Sequence, residues 1–217
     1  MIKTRNSLLT VVAITFFQFS CGDKSSFWHW FSENEPRLFQ FETNQDVIFN
    51  ELTTRLHRIN PDLTFEFGPV EGSKREFVIS ADGKKRSFAA VEKLFSEAPP
   101  LKYFRVMKFR QRRREIIDIK TDDLTVSARD VRYILISEGS KTDVMLFIKG
   151  YQGSKREKYL HAAFLLLDQA LGEYDVETKV GAVELYGEAA KHFRSAKSFM
   201  NMASEFDHLT KPIPGMP

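Results

Sequence analysis

Apolar positions along the chain recur with two periods, near four and two. Val47, Ile48, Leu52, Leu56 and Ile59 fall three and four apart with charges between them. This spacing predicts a helix from an Asn44 cap to about Ile59, stopped by Asn60-Pro61. Phe27, Trp28 and Phe31 predict a shorter helix before it, with Ser26 as its cap. Leu63, Phe65 and Phe67 alternate with polar residues, and Phe77 and Ile79 do so again after the Pro69 to Lys74 turn, which reads as a β-hairpin. Phe88, Val91, Leu94 and Phe95 predict a helix over 85–98, closed by Pro99-Pro100.

Period two then dominates. Strands are predicted at 103–109, 115–120, 125–126, 131–137 and 143–148, the last two joined by Glu138-Gly139-Ser140-Lys141. Ser154 and Glu157 have capping-box spacing and open a helix to about Leu171, with Gly172 placed to end it. A final strand is predicted at 180–186. The order α-α-β-β-α-β-β-β-β-α-β predicts an α+β fold of two layers: a largely antiparallel sheet with helices packed on one face. Gly-Ser-Lys-Arg-Glu occurs at 72–76 and at 153–157, which reads as shared turn chemistry rather than a duplication.

The first twenty residues follow a different logic. Lys3 and Arg5 precede an uncharged run from Leu8 to Ser20, too short to span about 30 Å of hydrocarbon and of signal-peptide length. Cys21 follows at once, between Ser20 and Gly22, an arrangement similar to the lipobox of bacterial lipoproteins. Gln18 and Phe19 depart from the usual pattern of that box. Cys21 is the one cysteine among 217 residues, which excludes an internal disulfide and a cysteine zinc cluster. The expected organisation is a signal peptide at 1–20, a tether at 21–26, one α+β domain at 27–186 and a polar extension at 187–217, partly helical or disordered. The expected partner of Cys21 is a lipid bilayer in the bacterial envelope. Gly22, which is not Asp, favours the outer membrane by analogy with lipoprotein sorting.

Composition bounds the chemistry. Forty-two per cent hydrophobic residues and 20 Phe supply a core, and a mean hydropathy of −0.32 excludes a polytopic membrane protein. Without Lys3 and Arg5 the chain holds 30 basic and 29 acidic side chains, a balance that argues against nucleic acid as partner. The five His show neither HxH nor HExxH spacing, and no phosphate loop or nucleophile elbow is present. No cofactor is therefore expected.

Two charged stretches remain. Asp168, Glu173, Asp175 and Glu177 form an acidic segment after the last long helix. The segment reads as a solvated loop with Asp168 bonding a backbone amide or a basic partner; in extended backbone, Glu173, Asp175 and Glu177 share one face, where they would instead bind a divalent cation or do acid–base work. Lys108, Arg110, Arg112, Arg113 and Arg114 form a cationic run, read as a solvated hairpin tip or as a contact for an anionic surface.

Four segments together resemble a family of uncharacterised bacterial proteins over residues 27–186. They are Phe27-Trp28 through Trp30-Phe31 with Asn34-Glu35, Pro61 through Pro69, Lys74 through Gly83, and Leu167 through Glu177. The resemblance implies one coherent domain and carries no activity, cofactor or catalytic residue. Its members lack a signal, which makes the anchor an addition. The leading expectation is a membrane-anchored, non-enzymatic binding domain that meets a protein or peptide partner on a sheet face or edge strand. The alternative is a small hydrolase or metal-assisted enzyme built on Asp168, Glu173, Asp175 and Glu177.

Overall fold

The computed structural model describes residues 22–121 and 123–211. The fold is α+β with mostly antiparallel sheets, as the pattern predicts, and its strands are divided between two lobes with separate cores.

The first lobe opens with helices α1 (Gly22–Glu33), α2 (Glu35–Phe39) and α3 (Gln45–Ile59). α1 begins at Gly22, so Ser26 lies inside the helix and is not its cap. Strands β1 (Thr64–Glu71) and β2 (Lys74–Ser80) form the predicted hairpin. Helix α4 (Phe88–Ser96) then returns the chain to β3 (Phe104–Lys108), parallel to β2. Ile48, Leu52 and Leu56 of α3 are fully buried, whereas Val47, which shares their periodicity, is 52% exposed. Phe31 lies against Phe77 and Phe104, with ring centroids 4.6 and 5.1 Å apart. Trp28 Nε1 donates to the Leu94 carbonyl at 2.9 Å, which ties α1 to α4.

The second lobe holds a short ribbon of β4 (Ile119–Thr121) and β5 (Leu124–Val126), then the hairpin β6 (Val131–Glu138) and β7 (Lys141–Ile148). Helices α5 (Arg156–Leu171) and α6 (Glu173–Lys179) carry the chain to β8 (Val180–Tyr186), parallel to β7. The chain beyond Gly187 is more than a polar tail. β9 (Lys197–Ser198) pairs with β6, and α7 (Met202–Thr210) buries Met202 and Phe206 beside Phe199 in the second core.

Both lobes therefore share the order β-β-α-β, with an antiparallel hairpin whose second strand pairs in parallel with the strand after the helix. The two Gly-Ser-Lys-Arg-Glu copies are not equivalent within it. The first turns from β1 into β2, and the second is the 3-10 turn that leads into α5. Residue Lys155 flanks that helix, and no side-chain capping bond forms from Ser154.

Candidate functional site

The cationic run is not a hairpin tip. It is the irregular segment that crosses between the lobes. β3 ends at Lys108, and Phe109 takes φ +59°, a left-handed backbone that a bulky residue adopts only where its surroundings hold it. Phe109 is 2% exposed and packs on Phe88 at 4.5 Å and on Tyr174 at 5.5 Å. Its N–H still donates to the Ile79 carbonyl at 2.8 Å. The bend breaks the strand alternation that would put Lys108 and Arg110 on one face, opposite Phe109. Lys108 stays on the surface near Glu92 at 3.4 Å, and Arg110 enters the junction.

The acidic segment is not extended either. Gly172 ends α5 at φ +84°, and residues 173–179 form α6. In a helix, positions four apart share a face and positions two apart do not. Glu173 and Glu177 therefore turn to the junction, and Asp175 points elsewhere, to Arg112 at 2.8 Å and Lys179 at 2.9 Å.

Glu173 is completely buried. Its Oε1 accepts the backbone N–H groups of Ala81 at 3.1 Å and Gly83 at 3.2 Å. Its Oε2 accepts that of Arg110 at 3.0 Å. One carboxylate thus satisfies the turn after β2 and the first residues of the crossing segment. Arg110 lies among Glu66 at 2.5 Å, Asp82 at 3.0 Å and Asp168 at 3.3 Å. Burial opposes its charge, but Glu66, Glu173 and Asp168 outweigh that and hold it above the usual guanidinium range. Asp168 moves the other way. Burial pushes its carboxyl up to about 7, helped by Glu173 and Glu177 and opposed by Arg110. The attraction is too weak to win because Arg110 is shared among three carboxylates. Glu177 is raised by burial and by Glu173, against Lys141 and Lys85.

The rest of the crossing segment is bound to α5. Arg113 N–H donates to the Gln169 carbonyl at 2.8 Å, and the Gln169 side chain brackets Ile117, its Oε1 accepting the Ile117 N–H at 2.8 Å and its Nε2 donating to the Ile117 carbonyl at 3.2 Å. Arg112 Nε donates to the Leu171 carbonyl at 2.6 Å, and its guanidinium reaches Asp175 and Asp207. Arg113 approaches Glu66 at 3.9 Å, and Arg114 is exposed.

A cavity of about 280 Å³ opens beside this network, lined by Asp82, Arg110, His161, Phe164, Asp168 and Glu177 among others. Glu66, Asp82 and His161 escaped the sequence reading. Asp82-Gly83 carried only a turn signal, and nothing local to Glu66 or His161 points across the molecule. No group of three or more His, Cys, Asp or Glu among the described residues has the geometry to hold a metal ion. No helix among them is long and apolar enough to cross a membrane. The signal segment 1–20 and Cys21 lie outside the described residues.

No protein-family model and no curated protein matches the chain.

Proposed function

We propose that this chain is a membrane-anchored interaction domain of the bacterial envelope, tethered through lipid on Cys21. One observation carries the non-enzymatic part. The acidic and cationic segments, which held the candidate chemistry, neutralise each other across the lobe junction. Glu173 accepts backbone N–H groups with its oxygens, and Arg110 and Arg112 donate their guanidinium N–H groups to carboxylates and, from Arg112 Nε, to the Leu171 carbonyl. These groups hold the lobes together and leave partner contact to the exposed sheet edges. The anchor reading rests on the apolar run before the sole cysteine.

Two measurements test it together. The wild-type chain sediments with membranes and takes up an alkyne fatty acid. Cys21→Ser moves to the soluble fraction and loses the label. Unchanged sedimentation of the variant refutes the tether. A second reading, acid–base catalysis in the cleft, draws on Asp168, whose carboxyl near 7 lines the same cavity as His161 and Glu177. It requires a compound that binds the cavity and is turned over with a pH profile that Asp168→Asn abolishes.

A further inference from the structure

β6 is covered on one side along its whole length by β7, and on the other side for only two residues. β9 pairs with Arg132 and Tyr133 alone. Arg132 Nη1 donates to the Ala196 carbonyl at 3.0 Å, and the Ala196 N–H turns to the His192 carbonyl at 3.2 Å, so the chain just before β9 does not extend the ladder. Beyond it Ile134, Leu135, Ile136 and Ser137 have no strand partner on that side among the described residues. These four residues present about 13 Å of free edge at 3.3 Å per residue.

The outer strands of the two larger sheets carry charge: Glu66 and Glu71 on β1, Arg105 and Lys108 on β3, Glu184 on β8 and Lys197 on β9, the charges by which edges resist pairing; on β6 the charges, Arg132 and Glu138, stand only at the two ends. Tyr133 to Ser137 holds no charge and consists mainly of strong strand formers, with Ile136 43% exposed. A surface groove of about 750 Å³ starts at the same place. Its strand-side wall is Tyr133 and Lys197, the last pair between β6 and β9, and its other wall is α7 and the turn before it. Met200 and Leu209 are 44% and 39% exposed there. Its basic groups are Lys197, His208 and Lys211. Its one carboxylate, Glu205, is already bound by Tyr133 Oη at 2.6 Å and Lys197 at 2.8 Å.

We infer that the free edge of β6 at Ile134–Ser137 and the adjoining groove take up an extended acidic peptide segment as an added strand, running in the direction of β9. The segment's main chain bonds the edge. Alternate side chains reach Met200 and Leu209, and its carboxylates face His208 and Lys211. A second copy of the chain is disfavoured as occupant, because pairing the two edges brings basic grooves together. The inference rests on the interaction-domain reading and names its partner class.

The test selects ten-residue peptides displayed on phage against the full chain in detergent. The tightest binder is synthesised with a fluorescein label as the probe. The selected peptides are expected to be acidic with alternating β-branched residues. Probe binding is expected to slow amide hydrogen exchange at least tenfold at the alternate residues of Ile134–Ser137 whose N–H groups face away from β7, and Ile136→Lys to weaken binding at least tenfold with an unchanged circular dichroism spectrum. Should Ile136→Lys fail to fold, the exchange footprint on the wild-type chain decides alone. Selected peptides that protect another surface overturn the edge assignment and leave the interaction-domain reading standing. Failure to select any peptide overturns the inference, as does protection of the same amides by dimerisation without probe. Fatty-acid labelling of Cys21 is read independently of every one of these outcomes.

Discussion

Glu173→Ala removes the carboxylate on which the junction is organised. The side chain is fully buried and accepts three backbone N–H bonds, from Ala81, Gly83 and Arg110. Alanine supplies no acceptor; the Ala81 donor is buried, and those of Gly83 and Arg110 are half-buried beside the cavity. A buried donor without a partner costs about 1–3 kcal/mol. The loss of a negative charge near Asp168 and Glu177 relieves repulsion and returns part of that. The net expectation is a loss of about 4 kcal/mol. In a chain of this length 1 kcal/mol corresponds to roughly 2–4 °C, so the midpoint of thermal unfolding should fall by about 8–16 °C. Glu173→Gln keeps one acceptor oxygen for Ala81 and Gly83 and turns an amide donor toward the Arg110 N–H, so it should cost about 2 kcal/mol. Urea unfolding followed by circular dichroism measures both. An alanine variant within about 1 kcal/mol of wild type would refute the assignment of Glu173 as the acceptor that joins the lobes.

Asp168 gives a pH-dependent test. Its folded-state carboxyl releases its proton near 7, whereas an unfolded Asp does so near 3.8. Between those values the folded chain binds more protons, so this group's contribution to stability falls as pH rises from about 4 to 7. Asp168→Asn should remove that slope, and urea midpoints of the two proteins between pH 4.5 and 8 should converge toward low pH and separate in favour of the variant above 7. A constant difference across the range counts against the burial argument. Gly172→Ala places a side chain at φ +84° and should cost about 2 kcal/mol through backbone strain, since the nearest neighbour of the new Cβ, the Arg110 carbonyl, lies at an ordinary 3.5 Å. A thermal midpoint unchanged within 1 °C would contradict it. Trp28→Phe leaves the Leu94 carbonyl without its 2.9 Å donor and opens space beside Phe77, and should destabilise the chain by about 2 kcal/mol in a urea titration.

Local periodicity made most of the elements legible. The stripe Ile48, Leu52, Leu56 defined α3 because a helix that packs on one side must repeat its apolar residues about every four positions. The hairpin of β6 and β7 announced itself through alternation on both sides of Gly139. α6 gave no such signal. Among its seven residues Val176 is the one buried apolar side chain, so the segment reads as a polar loop. Its helix is held by tertiary contacts, with Glu173 drawn inward by three amides. The parallel pairings of β2 with β3 and β7 with β8 were also hidden, since the α4 and α5–α6 crossovers that set them look in sequence like helices added to a meander.

The junction was half legible, and the missing half is instructive. An acidic stretch and a basic stretch both stand out in the sequence, and each alone suggests an external partner: a cation for one, an anionic surface for the other. Their sequence separations, 63 residues from Arg110 to Glu173 and 92 from Ala81 to Glu173, place the pairing beyond any local pattern. Two backbone devices bring them together, the left-handed bend at Phe109 and the glycine turn at Gly172, and both act by breaking the regular element before them. Once the bends are made, a buried guanidinium needs carboxylates and buried amides need acceptors, so residues that look like binding sites in isolation become each other's ligands. Charge that is satisfied internally cannot also recruit a partner without first opening the junction. On the interaction-domain proposal, recognition falls to surfaces whose hydrogen-bonding groups are still free, and the uncharged stretch of β6 is the one that the chain's own β9 leaves unfinished.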